Sequence, residues 1–223
     1  MSRLILSVDT ATTAGSVAVL HEKKILGELF VDTQKTHSER VLKTINFLLS
    51  ELNLSINDFE LFVASIGPGS FTGIRIGLSI LKGFACALNK KLLGISAIDA
   101  LATEYKGNGK FLAFIEGRAG EIFYAFFEKN NNLLKRLSDY KSENFLKLAT
   151  NDNNYGIFKS KEIEKFAEKG YLFAHNFALF ALEHQDNYKK DNITPLYIKP
   201  SDAEINFKKC HPELVSGSSV KSI

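Results

Sequence analysis

The chain has 223 residues, 45% of them hydrophobic, which is enough to bury the core of one large domain or two small ones. The net charge of +3 is small and no dense block of lysine and arginine occurs, so contact with nucleic acid is allowed but not indicated. No apolar run is long enough to span a bilayer, and the first one, Leu4 to Val8, is too short for the core of a signal peptide. We therefore expect a cytoplasmic protein that does not bind membranes.

The first thirty residues predict a three-stranded meander. Its strands are three apolar segments, Leu4 to Val8, Ser16 to Leu20 and Ile25 to Val31. Asp9 ends the first strand, and Thr10 and Thr12 follow it before a glycine turn. A carboxylate followed by hydroxyl groups in such a hairpin can hold a nucleotide phosphate and its metal ion. The same residue types also stabilise an ordinary turn, which we favour when this hairpin is considered alone.

A capping box then predicts the start of a helix. Thr36 and Glu39 stand at the spacing of the box, and apolar residues recur at helical spacing as far as Asn53. His37 lies in the first turn of this helix. A metal-binding helix would carry a second ligand one turn later, but Val41 stands there, so we interpret His37 as a cap-region or surface residue.

The segment from Gly67 to Gly77 packs four glycines and a proline between a predicted strand, Leu61 to Ile66, and a predicted helix from Thr72 to Leu88. Such a turn exposes backbone N–H groups that suit an anion. The spacing does not fit a P-loop, because Ile74 stands where the lysine should be. Glycines four residues apart lie on one helix face and permit close approach of another element, so we favour packing over phosphate binding.

After a predicted strand over Leu92 to Ile95 and a helix from Ser96 to Tyr105, the pattern of elements starts again. The second half predicts strands at Phe111 to Ile115, Ile122 to Glu128, Leu133 to Leu137 and Tyr155 to Phe158, with helical stretches at Glu143 to Leu148 and Ile163 to Ala167. We predict an N-terminal lobe at 1–105, a C-terminal lobe at 106–207 and a disordered tail at 208–223. Strands separated by helices in the first lobe call for parallel pairing with right-handed crossovers.

Two successive βββαβαβα units, the second reduced, resemble the α/β fold of actin-like ATPases and sugar kinases, the ASKHA or RNase H-like fold. Four motifs narrow the resemblance to the TsaB family of the glycoprotease-like superfamily. They are Leu6 to Thr12, Thr36 to Glu39, Gly67 to Gly77 and Ile115 to Tyr124. The resemblance covers most of residues 1–207, and the length of the third motif makes it highly specific.

The resemblance implies a scaffold without catalytic residues that heterodimerises with the related enzyme TsaD. That pair makes threonylcarbamoyladenosine next to the tRNA anticodon, and through it the chain would support recruitment of the ATPase TsaE and of tRNA. It also implies that the N-terminal lobes meet through two helices, and a homodimer is expected when the partner is absent. The implied dimer interface comprises Thr36, His37, Ser38, Glu39, Leu42, Gly73, Ile74, Arg75, Gly77, Ile80 and Leu81.

The resemblance further implies a vestigial nucleotide site. Its residues would be Asp9, Thr10, Thr12, Gly69 and Ser70. The chain departs from the family at Glu116, Gly117 and the segment 153–156, so we expect no nucleotide or metal to bind this subunit alone, although ATP or ADP and a divalent metal can bind in the complex. The alternative is a stand-alone actin-like ATPase or small-molecule kinase, which Asp9 and the hydroxyl groups of its hairpin suggest.

Overall fold

The computed structural model describes residues 3–33, 35–117, 120–131, 133–148, 154–158, 167–184 and 193–198. Eleven strands and four α-helices lie in these ranges. The strands are β1 (Leu4–Asp9), β2 (Gly15–His21), β3 (Lys24–Val31), β4 (Leu61–Gly67), β5 (Lys91–Ser96), β6 (Gly109–Glu116), β7 (Glu121–Asn130), β8 (Leu133–Arg136), β9 (Lys141–Asn144), β10 (Asn154–Ile157) and β11 (Glu168–Lys169). The helices are α1 (His37–Glu51), α2 (Phe71–Ala87), α3 (Ala97–Thr103) and α4 (Ala174–His184).

The first five strands form one sheet in the order β3-β2-β1-β4-β5. The first three pair antiparallel as a meander, while β4 and β5 join β1 in parallel. α1 and α2 pack on the outer face of this sheet, where Leu6, Val8 and Val19 meet apolar residues of both helices. The βββαβαβα order predicted for the first lobe is therefore confirmed.

The second sheet repeats this connectivity in the order β11-β10-β6-β7-β8, with β9 pairing with β7 beside β8. β6 pairs antiparallel with β7 and parallel with β10, as β1 does with β2 and β4. Where the first lobe has the 15-residue α1, the described residues of the second include a short 3₁₀ turn, Phe145–Lys147. The prediction of a helix over Glu143 to Leu148 was wrong, because residues 141–144 extend into β9 instead. The predicted helix at Ile163 to Ala167 and the tail 208–223 lie outside the described residues, apart from Ala167.

Each sheet is covered on its inner face by the last helix of the other half of the chain. α4 packs on β1, β2 and β4, whereas α3 packs on β6 and also contacts α4. Their apolar side chains and the inner residues of both sheets form one core, which includes Ile5, Val63, Phe111 and Phe177. The two halves therefore share a core, and the predicted boundary at residues 105 and 106 stays a prediction about chain organisation.

Candidate functional site

The predicted nucleotide residues come together at one edge of the first sheet. β1 and β4 are parallel neighbours, so their carboxyl ends lie side by side, and the β1–β2 turn is at the same edge. The loop from β4 to α2 runs against that turn, where the N–H of Ser70 donates to the carbonyl of Ala11 at 2.6 Å. Ligands of open α/β sheets bind at such carboxyl ends. The structure therefore brings these residues together, and a nucleotide site there stays a prediction.

Asp9 is closed off from solvent. Its side chain alternates with that of Val8 along β1 and therefore lies on the inner face of the sheet, the face that α4 covers, and the residue is only 1% exposed. The N–H of Ala11 donates to Oδ1 at 3.0 Å. Burial raises the pKa of the Asp9 carboxyl to about 7, against the opposing effects of the Ala11 N–H, the Ser65 hydroxyl and the Thr10 N–H. The Ser65 hydroxyl acts on Asp9 from nearby, although its Oγ forms no hydrogen bond of good geometry with any described residue. The carboxyl cannot reach a nucleotide in this conformation.

The remaining residues of the predicted nucleotide site have their polar groups engaged in contacts within the chain. Thr10 Oγ1 donates to the carbonyl of Gly73 at 2.8 Å, and Thr12 Oγ1 donates to the carbonyl of Ala14 at 3.1 Å. Ser70 caps α2, because its Oγ accepts the N–H of Gly73 at 3.2 Å. Gly69 has a φ of +154°, and a Cβ there would lie 2.1 Å from the carbonyl oxygen of Ala11. The β4–α2 loop therefore packs against the β1–β2 turn of the same chain, as the packing interpretation predicted.

His37 and Arg40 hold the β1–β2 turn against α1. His37 Nε2 lies 2.7 Å from the carbonyl oxygen of Thr12, and its Nδ1 lies 3.1 Å from a guanidinium nitrogen of Arg40. Burial, and then the charge of Arg40, lower the pKa of the His37 imidazole, although the bond to Thr12 opposes this shift. Both ring nitrogens therefore have partners, which agrees with the interpretation of His37 as a cap-region residue. The capping box of Thr36 and Glu39 is also confirmed.

The predicted dimer interface divides into a buried and an accessible part. Gly73, Ile74, Gly77 and Leu81 are buried within the chain. A Cβ on Gly73 would lie 2.3 Å from the Thr10 carbonyl oxygen, so the glycines admit the β1–β2 turn of the same chain. This corrects the prediction that they allow a partner lobe to approach closely. The accessible members, which stay a prediction as a contact surface, are Thr36, Ser38, Glu39, Leu42 and Arg75, with His37 and Ile80 half-buried.

Sequence reasoning placed Leu42 and Ile80 in the implied dimer interface but missed the other apolar groups that the two outer helices leave accessible. Ile76, Ile80 and Phe84 form a half-buried stripe along α2 at intervals of four residues. On α1, Leu42 and Phe47 are 45% and 57% exposed. The signal was present as a second apolar stripe on α2, adjacent to the stripe that contains the glycines. We call Leu42, Phe47, Ile76, Ile80 and Phe84 the outer helical face.

Within the described ranges, no group of three or more histidine, cysteine, aspartate or glutamate side chains is placed to hold a metal ion. None of the helices in those ranges is long and apolar enough to cross a membrane.

Comparison with known proteins places the chain in a family. A family model described as TsaD, tRNA N6-adenosine threonylcarbamoyltransferase, matches residues 24–206. The tRNA threonylcarbamoyladenosine biosynthesis protein TsaB of Buchnera aphidicola subsp. Schizaphis graminum is 30% identical over 73% of this chain and 78% of that protein. The chain is a TsaB/YeaZ-like member of the TsaD glycoprotease family.

Other TsaB relatives match this TsaB/YeaZ-like chain over shorter stretches. The TsaB proteins of Bacillus subtilis and Escherichia coli are 28% and 33% identical over 60% and 57% of the chain. These alignments cover 58% and 56% of the two relatives, so the matched part spans little more than half their length.

Solved structures confirm the fold of this TsaB/YeaZ-like chain. YeaZ from Pseudomonas aeruginosa has a TM-score of 0.74 at 22% identity and covers 87% of this chain and 99% of its own. A second Pseudomonas aeruginosa structure, of an uncharacterized protein with similarity to peptidase YEAZ, has a TM-score of 0.76 at 21% identity, with 88% and 100% covered. The predicted α/β fold of the actin-like ATPase type, with its second lobe reduced, is confirmed.

Proposed function

We propose that this chain is a non-catalytic subunit in the biosynthesis of tRNA threonylcarbamoyladenosine and that it heterodimerises with a TsaD enzyme. The observation that carries the proposal is the match to a TsaB protein of that pathway over most of both chains, within a family model described as TsaD. In this role the chain supports the partner that carries out the chemistry. Recruitment of TsaE and of tRNA would follow through the pair.

The geometry of the candidate site supports a role without chemistry in this subunit. The Asp9 carboxyl is buried, and the hydroxyl groups of Thr10 and Thr12 donate to backbone carbonyls. The two nitrogens of His37 are engaged by Thr12 and Arg40. An active site needs groups that can reach a substrate, and these cannot. ATP or ADP and a divalent metal would therefore bind in the complex through groups of the partner.

The outer helical face supports the proposed contact with TsaD. It lies on two helices that pack side by side on the outside of the first sheet, and Tyr197 of the second half contacts α2 at its first turns, where it stacks on Phe71 and accepts a hydrogen bond from Arg75. Exposed phenylalanine and leucine side chains are residues that an interface core buries. The same face can pair with a second copy when TsaD is absent, because a two-fold dimer buries identical patches.

Co-purification tests the proposal. The chain and the TsaD of the same organism are expressed together, and the complex is examined by size-exclusion chromatography with light scattering at micromolar concentration. We expect a 1:1 heterodimer, and two separate species would refute the proposal. Calorimetry of the chain alone with ATP and Mg²⁺ tests the alternative of a stand-alone ATPase or kinase. Tight binding that is lost in Asp9→Ala would favour that alternative.

A further inference from the structure

Arg40 is a buried cation without a carboxylate partner in the described part of the chain. It lies in the first turns of α1 and is 7% exposed. No described aspartate or glutamate forms an ion pair with it. A buried charge is costly unless hydrogen bonds replace its hydration. The buried guanidinium must therefore be held by hydrogen bonds to neutral groups, which a neutral side chain of similar size would not form in the same way.

The hydrogen bonds of Arg40 show what it joins. One guanidinium nitrogen donates to the carbonyl of Val31, the last residue of β3, at 3.0 Å and to the hydroxyl of Thr33, in the connection from β3 to α1, at 3.3 Å. The other donates to the carbonyl of Thr13 in the β1–β2 turn and to Nδ1 of His37 at 3.1 Å. The planar fork of arginine can serve several acceptors at fixed angles, which the ammonium of lysine cannot. Arg40 therefore ties three separate segments together.

The contact with Arg40 fixes the tautomer of His37. A guanidinium has only donors, so Nδ1 must accept and the imidazole proton lies on Nε2. Nε2 then donates to the carbonyl of Thr12 at 2.7 Å. We call the pair His37 and Arg40, with its bonds to Thr12 and Thr13, the turn clamp.

The His37 ring also lies between the turn and the start of α2. A Cβ on Gly15 would lie 3.2 Å from Cε1 of this ring, and a Cβ on Gly73 would lie 3.0 Å from its Cδ2. The ring, which belongs to the first turn of α1, therefore packs between the β1–β2 turn and the first turn of α2. The other tautomer would put a proton on Nδ1 against the guanidinium of Arg40 and remove the donor from Thr12, and a ring turned away from these two bonds would change its contacts with the turn and with α2.

We propose that Arg40 is a positioning residue that acts through His37 to set α1 and α2 at the spacing that the partner recognises. This inference rests on the proposed function, because it concerns the outer helical face carried by those two helices. A clamp that merely stabilised the fold would change the free energy of unfolding without changing the affinity of the folded protein for its partner.

The test compares Arg40→Met, which removes the guanidinium, with Arg40→Lys, which keeps the charge and loses the fork. Long-range ¹H–¹⁵N spectra of His37 report which ring nitrogen carries the proton, and the affinity for purified TsaD is measured by titration. We expect both variants to lose the single Nε2–H tautomer and to bind TsaD at least tenfold more weakly. Lys43→Met, an exposed charge removal on the same helix, should change neither the spectrum nor the affinity.

Other outcomes separate the parts of the inference. An unchanged His37 spectrum in both Arg40 variants overturns the turn clamp. A changed spectrum with TsaD affinity within twofold of the original overturns the positioning role. If the unmodified chain does not bind TsaD, the proposed function fails and the positioning role with it, while the His37 spectra still decide whether the clamp exists. If Arg40→Met does not fold, Arg40→Lys and His37→Gln carry the test, since glutamine can keep both hydrogen bonds and should retain affinity.

Discussion

Gly77 on α2 packs directly against the side chain of Thr10 at the end of β1. A Cβ on Gly77 would lie 2.4 Å from Thr10 Oγ1, and that hydroxyl also donates to the carbonyl of Gly73. Thr10 is itself buried and cannot move away. The glycines of the conspicuous motif therefore serve a contact inside the lobe, between the first hairpin and the helix that follows β4.

The same helix contains a glycine with no such contact, so two substitutions can be compared. Gly77→Ala should destabilise the fold by about 1–3 kcal/mol, because the added methyl group overpacks a site that cannot relax. Gly83 is exposed, and a Cβ there would meet nothing within 4 Å. Gly83→Ala should therefore stabilise the helix by about 0.5–1 kcal/mol. Urea unfolding measures both, and equal effects of the same sign would contradict the packing of Gly77 on Thr10.

The buried carboxyl of Asp9 should make stability depend on pH. Burial raises its folded-state pKa to about 7, above the value in the unfolded chain, so the folded state binds the extra proton between these two values. Stability should then fall as the pH rises from about 4 to 7 and change little above that, by roughly 2–4 kcal/mol in total. Asp9→Asn removes the titration while leaving an oxygen to accept the Ala11 N–H.

Urea unfolding at pH 5 and at pH 8 tests this expectation. The substituted chain should gain stability relative to the original at pH 8 and should not at pH 5. A constant difference between the two proteins at both pH values would mean that Asp9 is already ionised in the folded state.

The sequence was sufficient to predict the order of elements in the first lobe, because local and tertiary signals agree there. The capping box at Thr36 and Glu39 begins a helix whose apolar residues face one sheet, and four of the five strands, all but β3, end at a glycine or a polar residue. α4 was missed for a physical reason. Ala174, Phe177 and Ala181 are buried, and so are residues between them, since this helix lies between β1 and α3 and has little polar face. Helical periodicity weakens when a helix is buried on most sides.

The sequence named residues that the structure brings together, but it did not predict their contacts. The motifs placed Asp9, Thr10 and Ser70 in one region, and the structure brings them together. Spacing alone could not show that Gly73 and Gly77 face Thr10 of the same chain, because this depends on how the β4–α2 loop packs against the β1–β2 turn. Arg40 gave no signal, since an arginine on a helix is usually exposed.

A second pH effect should come from the pair that joins α4 to the edge of the first sheet. Glu28 on β3 accepts Nδ1–H of His175 at 2.7 Å and the His175 backbone N–H at 3.0 Å, and both side chains are largely buried. The bond to Glu28 raises the pKa of His175 despite the opposing effect of burial. A raised folded-state pKa contributes stability that is fully present below the unfolded value of about 6.5 and is lost as the pH rises through the folded value.

Glu28→Gln should therefore destabilise the fold by about 1–2 kcal/mol at pH 6 and by less at pH 9. Thermal unfolding across this range measures the difference. The matched control is Glu183→Gln, which breaks an exposed ion pair with Lys23 at 3.0 Å between the β2–β3 turn and the same helix α4. That exposed pair should contribute under about 1 kcal/mol at either pH. A loss in Glu28→Gln that does not vary with pH would show that His175 is uncharged in the folded protein.

The outer helical face should tolerate a charge in the isolated chain and not in the complex. Phe47 on α1 is 57% exposed, so Phe47→Asp should change the free energy of unfolding by less than about 0.5 kcal/mol. In a complex with TsaD the aspartate would be desolvated in an apolar contact, and the dissociation constant should rise by about 30-fold or more. Leu133 on β8 is 73% exposed at the far edge of the second sheet, and Leu133→Asp makes the same kind of change away from α1 and α2. Equal weakening of TsaD binding by both substitutions would place the contact elsewhere, because only Phe47 belongs to the outer helical face.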